Sequence, residues 1–406
     1  MRPACQGRAS RVPAAATRRF GGGRPATVAE TGSSAAVTPP GSNGTAGNDR
    51  TQGEQSVSEQ RGGRAFIGSY TGEGGRGIVV ADVAANTGAL TVLSALDAVP
   101  EPSFVTLNGD ASLLYAVSET DDGHAAAFRV AADGTLARLG EPRQLHAAAP
   151  AHLSLVAGHL LTANYGSGSV TVLPVAADGS LGEACGVYAH EGSGPVAGRQ
   201  EGPHAHQVLP DPSGRWVLSV DLGTDSVRVG RLDAATGELA PHSETVLTRG
   251  RGPRHLAFHP DGRHAYVAHE LHPSLTVCRW DADAGTLEAL GEALLLPAEE
   301  IAAAESAASA IVVDREGHFV WVANRGHDSI SVLTLDPSAE KAELVTTVPC
   351  GGHWPRDLAL DPAGSRLYVA NERSGDVTWF DIDPATGIPV KAGSLELPAP
   401  VCVVFG

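Results

Sequence analysis

Seven residues of this chain are of types that could act together on an anionic substrate: His204, His206, Arg254, Glu270, Arg325, Arg356 and Glu372. Guanidinium groups present planar, permanently charged forks that suit carboxylate or phosphate. A histidine and a glutamate beside them can exchange protons with a substrate or with water. His204 and His206 alternate in "PHAH", Arg254 follows the proline of "GPRH", and Glu270 closes "YVAHE". Each residue also has a purely structural reading. Arg254 and Glu270 could form only a salt bridge across one hairpin, a single histidine is more often a hydrogen-bonded core residue, and Arg325 and Glu372 could be ion pairs between neighbouring units. The set becomes a site only if the fold brings its members to one place.

A repeat supplies such a fold. Apolar runs with a small or polar end recur as "FIGSY" at Phe66, "YAVSE" at Tyr115, "LTANY" at Leu161, "LSVDL" at Leu218, "YVAHE" at Tyr266, "WVANR" at Trp321 and "YVANE" at Tyr368, about 50 residues apart. Turns such as "DPSGR" and "HPDGR" precede most of them, with Asp, Pro and Gly supplying the backbone angles of a tight hairpin. An alternating run such as "SVRVGRL" or "SISVLTL" comes next, then a fourth segment led by Leu, as in "ATGELAP". Four short strands repeated seven times predict an all-β fold, a seven-bladed β-propeller of four-stranded antiparallel blades. The first unit has no leading strand, and "PAPVCVVFG" (398–406) has no unit after it, so the C-terminal strand is expected to close the ring in blade one. "PAEEIAAAESAAS" (297–309) reads as an inserted helical turn.

In a propeller the innermost strand lines the central channel and the second strand runs antiparallel beside it. The start of the first and the end of the second therefore meet at one face. That rule gathers the seven residues above at one funnel mouth, together with Ser103, Tyr70 and Tyr165. His204 and His206 share a strand face at period two, so at least one is expected to point inward. The Gly-rich stretch "HEGSGPVAGRQEGPHAH" (190–206) lengthens the loop into blade four. It reads either as a lid carrying Arg199 and Gln200 over a substrate or as a tolerated surface insertion. Glu119 and Asp221 are expected to be loop caps, and His255, His259, His264 and His272 to lie at the surface.

Composition narrows the function classes. The chain has 406 residues, 42% of them apolar and 18% charged, with 49 Gly, 27 Pro and a net charge of −17. Eight arginines against four acids make residues 1–62 basic, and the remainder is correspondingly more acidic. An acidic body argues against nonspecific nucleic-acid binding, while a few local arginines can still hold a small anion. The five cysteines are scattered and form no CxxC, which supports neither a disulfide framework nor a zinc knuckle and fits a reducing cytoplasm. Paired arginines near the start are followed by glycines where an export signal needs an apolar stretch, and no run has the length of a membrane span. Residues 1–62 read as a disordered tail, leaving 63–406 for the propeller. Phosphate-cradling glycine motifs, HExxH and a nucleophile elbow are all absent from the sequence.

"QEGPHAHQVLPDPSGRWVLSVDLGTDSV", "GPRHLAFHPDGRHAYVAHE", "VANRGHDSISV" and "WPRDLALDPAGSRLYVAN" resemble the seven-bladed propeller lactonase family, which groups propeller-type 6-phosphogluconolactonases with carboxy-muconate lactonizing enzymes. The resemblance runs from about residue 64 to 406. It implies chemistry on a lactone ring, and its histidine, arginine and glutamate fall on His206 (or His204), Arg254 and Glu270. The family's runs read "VNE" and "PRHLAL" where this chain has "AHE" and "PRDLAL", so His269 and Asp357 set it apart. The expectations are therefore catalysis by His206, Arg254 and Glu270, with His204, Arg325, Arg356, Arg199 and Gln200 binding substrate. Either Glu270 or His206 is the expected base, and no metal or cofactor is called for. A small anionic lactone such as 6-phosphogluconolactone is the expected partner of a cytoplasmic monomer that binds neither nucleic acid nor membrane. Ring closure or opening of an unsaturated dicarboxylate, and a non-catalytic binding propeller, are the competing readings.

Overall fold

A computed structural model describes residues 61–301 and 306–406. All but the last two residues of the tail expected over 1–62 lie outside the described residues, and Arg61 already begins a strand. Seven antiparallel sheets succeed one another around a ring, each with four strands in the order inner to outer. The inner strands are Pro400–Phe405, Val105–Leu107, Pro150–Val156, Ala205–Pro210, Pro253–Phe258, Ala307–Val313 and Pro355–Leu360, for blades one to seven. Blade one takes its inner strand from the C-terminal segment, which pairs with Arg61–Ser69. Blade two departs slightly, because its outer strand is split into Leu136–Arg138 and Arg143–Gln144.

Burial explains the composition of the strands. Each sheet is sandwiched between two others, so both of its faces meet apolar neighbours. Phe66 and Val80 pack toward blade two, while Ala65, Ile67 and Val79 pack toward blade seven against Tyr368 and Trp379. The second and third strands are accordingly apolar on both faces, and the outer strands alternate buried with exposed residues. Asparagines at the ends of the second strands of blades three, six and seven tie those blades internally. Asn324 donates to Ser329 and Ser331 on the third strand, and Asn164 donates to Ser169 and Thr171. His269 takes this place in blade five, where its two ring nitrogens reach Ser274 and Thr276, each at 3.0 Å.

Two expectations need correction. Ala298–Ile301 is helical, but residues 307–309 already belong to the inner strand of blade six, so the helical turn is shorter than the sequence suggested. His264 is buried and His259 is half-buried, held by Asp261 in the turn of blade five. There Asp261 caps the backbone N–H groups of Arg263 and His264, as Asp211, Asp314 and Asp361 cap the equivalent turns of other blades. No helix among the described residues is long and apolar enough to cross a membrane.

Candidate active site

The residues that line the channel are aimed by a repeated irregularity. In blades one, three, four, five and seven one extra residue sits near the start of the inner strand: Val401, Ala151, His206, Arg254 and Arg356. Such a bulge turns two consecutive side chains toward the same side and breaks the strict alternation of the strand. Arg254 and His255 therefore both face the channel, as do Arg356 and Asp357. His255, expected at the surface, is buried there. The same break settles the "PHAH" pair. His206 points into the channel, whereas His204 precedes the strand and stacks on Tyr165 at the rim, with ring centroids 4.4 Å apart.

Glu270 is the centre of the mouth. Its Oε2 lies 2.7 Å from an Nη of Arg325 and 3.2 Å from Nε of Arg254, the latter without hydrogen-bond alignment, and its Oε1 accepts from Arg199. Arg325 also donates to the carbonyls of Ala307 and Ala308. Burial alone would raise the pKa of Glu270, but Arg325, Arg254 and Arg199 outweigh it and hold the carboxyl far below the usual range. Burial and the neighbouring Arg325 pull Arg254 down to about 9. Three guanidiniums thus share one carboxylate, and cationic charge is left over.

Arg356 stands apart from that group. It donates to the Tyr70 hydroxyl and lies 3.4 Å from Glu372 and 3.7 Å from Glu119, while Tyr70 donates to Glu119 at 2.9 Å. Two carboxylates around one guanidinium leave it no spare charge for an anion. Glu119, expected to be a loop cap, is a member of this cluster. Asp221 does cap its loop, through the N–H groups of His204 and Thr224, and pairs with buried His190 at 2.5 Å.

Below the mouth lie three buried imidazoles. His206 and His255 have ring centroids 5.1 Å apart, and His152 sits 5.6 Å from His255 and 4.2 Å from Phe104. Burial first, and Arg254 next, push His206 and His255 well below the usual histidine range and His152 to about 3. All three are neutral at physiological pH. The Nδ1 atoms of His206 and His152 have no hydrogen-bond partner.

The loop 190–206 does cross the rim, but its two candidate residues divide. Arg199 reaches Glu270. Gln200 is fully buried, donating to Leu222 O at 2.7 Å and Asp225 at 2.8 Å and accepting from Val196 N–H, so it pins the loop instead of facing a substrate. Trp354, which opens the stretch "WPRDLAL" but for which the sequence suggests no role, lines a pocket of about 370 Å³ with Arg199, Glu270 and Arg325. Its φ of 65° is uncommon for so bulky a residue. The Arg373 guanidinium stacks 3.4 Å from its ring centroid, and Asp328 accepts its N–H. A positive φ at a tryptophan leaves no trace in sequence, which is why sequence reasoning does not place this residue in the pocket.

Comparison with known proteins points to the same fold. Residues 64–405 match the family described as Lactonase, 7-bladed beta-propeller. A 6-phosphogluconolactonase of Bacillus subtilis is 34% identical over 345 residues, covering 84% of this chain and 97% of its own. A solved periplasmic gluconolactonase of Pseudomonas aeruginosa superposes with a TM-score of 0.79 at 30% identity, covering 84% of this chain and 98% of its own. A protein of Lactobacillus plantarum does so with the same score and identity over 85% and 99%. The chain belongs to the seven-bladed β-propeller lactonase family.

Proposed function

We propose that the protein opens a sugar lactone by hydrolysis, with 6-phosphogluconolactone as substrate and 6-phosphogluconate as product. The observation that carries this reading is the surplus of positive charge where Arg199, Arg254 and Arg325 share Glu270 beside a pocket of about 370 Å³. A pocket of that size suits a single sugar ring, and two or three guanidiniums can hold a phosphate in forked hydrogen bonds. The name of the Bacillus subtilis relative supports the same substrate.

In this reading Arg325 and Arg199 hold the anionic group. Arg254 faces the lactone carbonyl and stabilises the oxyanion as it forms, where exclusion of water makes that charge count most. Glu270 keeps the three guanidiniums in place. It is a poor base, because accepting a proton would leave three cations around a neutral acid. Neutral His206 orients the substrate or water through its free Nδ1.

A phosphorylated substrate goes with the cytoplasm, whereas an unphosphorylated one would suit the compartment named for the Pseudomonas aeruginosa protein. The test is proton release in a pH-stat with 6-phosphogluconolactone and with unphosphorylated gluconolactone. Faster decay of the phosphorylated compound than in buffer, lost in Arg325→Ala, is expected. Equal rates with and without protein overturn the substrate, and loss of ultraviolet absorbance from a carboxy-muconate diene would replace hydrolysis with cyclisation.

A further inference from the structure

Beneath the mouth the channel narrows to a cavity of about 10 Å³, room for one water molecule. Ser103, Glu119, Arg254, His255, Arg356 and Asp357 supply its polar wall, and Phe104 is on its apolar side. Arg356 is committed to Glu119 and Glu372, whereas Arg254 shares Glu270 with two other guanidiniums and its Nε has no aligned acceptor. Two further groups have bonding capacity to spare. Ser103 is buried and its Oγ has no partner. Asp357 is buried and bonded to backbone alone, accepting from Val403 N–H at 2.8 Å and from Leu358 N–H. At the same tier of the channel the other blades place His152, Gln207, His255 and Cys402, all uncharged; the second carboxylate beside the water-sized space, Glu119, is already taken by Tyr70 and Arg356.

We infer that Asp357 takes the proton from the attacking water and that Ser103 holds this water against it. The inference rests on the lactone-hydrolysis reading and supplies the base that Glu270 cannot be. The water oxygen bonds to the lactone carbonyl carbon and one of its protons passes to Asp357, while the carbonyl π pair moves onto oxygen beside Arg254. The intermediate collapses by breaking the bond from carbonyl carbon to ring oxygen, and that oxygen takes the proton back from Asp357. The open hydroxy acid leaves and ionises in solvent, and Asp357 is again a carboxylate.

Burial raises the Asp357 carboxyl to about 6, against the pull of Val403 N–H and Arg254, so it is ionised at neutral pH yet basic enough to accept a proton. The groups facing it are Arg254 and His255 from blade five, Arg356 on its own strand, Glu119 from blade two and Cys402 from blade one. Burial keeps His255 and Cys402 neutral, and both arginines are charged around pH 6, so none of these four masks its titration.

The experiment is kcat/KM for 6-phosphogluconolactone between pH 4.5 and 8. The wild-type profile should fall on the acid side with a pKa near 6. Asp357→Asn, which keeps an acceptor for Val403, should lower kcat by about 100- to 10,000-fold, leave KM within about three-fold and abolish the acid limb. Ser103→Ala should lower kcat about ten-fold at unchanged KM, and with the wild-type profile it decides the matter if Asp357→Asn does not fold. A profile flat through pH 6, or Asp357→Asn within three-fold of the wild-type kcat, overturns the inference while leaving the lactonase reading intact. A wild-type enzyme inert toward every lactone overturns both.

Discussion

At the scale of single residues, the mouth is an electrostatic balance around Glu270. Three guanidiniums depend on one carboxylate, so its removal leaves buried cations facing each other. Glu270→Gln should therefore cost about 3–5 kcal/mol, read as a lower midpoint in urea, and should also raise KM as the arginines move apart. Asp357 gives the opposite sign. Its folded-state pKa of about 6 lies above the ordinary value, so its contribution to stability is fully present only at low pH and is lost as pH rises through 6. Asp357→Asn should melt above wild type at pH 8 by up to roughly 3 kcal/mol, and the gap should close by pH 4. A gap that persists at pH 4, or a variant less stable at pH 8, would contradict this assignment of charge.

At the scale of elements, the inner-strand bulge and the loop 190–206 do the positioning. Gln200 holds that loop with three hydrogen bonds, and Asp225 ties it to the next loop by accepting from Gly250 and Gly252 N–H at 2.7 and 2.8 Å. Gln200→Ala should free Arg199 from Glu270, raise KM about ten-fold with little change in kcat, and open residues 190–200 to proteolysis. An unchanged KM would mean that Arg199 does not bind substrate. The blades and the face of the site were legible in the sequence, because strand periodicity and turn residues are local. Arg254, Glu270 and Arg325 could be placed together on that basis alone. His255 and Asp357 could not, since one extra residue per strand reverses the face of every later residue in it and apolar alternation hides the insertion. Tyr70 and Arg356 could be placed at the same mouth by the same rule, but Glu119, which reads as a loop cap, could not be seen to join them across the neighbouring blades one, two and seven.

At the scale of the whole molecule, seven interfaces between blades carry the core, and each is about as apolar as the next. Side chains also staple neighbouring inner strands. Gln207 accepts from Leu256 N–H at 2.6 Å, Ser309 donates to Pro355 O at 2.7 Å, and Asp357 accepts from Val403 N–H. The ring depends on every joint. Removing residues 400–406 should abolish cooperative unfolding and leave a species that binds a hydrophobic dye, measured by thermal melting and fluorescence, whereas a truncated protein that melts like the full chain would show that the joint is dispensable. The joint also imposes an order in time. A ribosome that has delivered six blades still holds back the partner of Arg61–Ser69, so that strand waits with a bare edge until Pro400–Phe405 emerges. The stretch that emerges after blade seven is thus the latch of the first blade, and a chain cut short before it leaves synthesis with an open seam for chaperones or proteases to find.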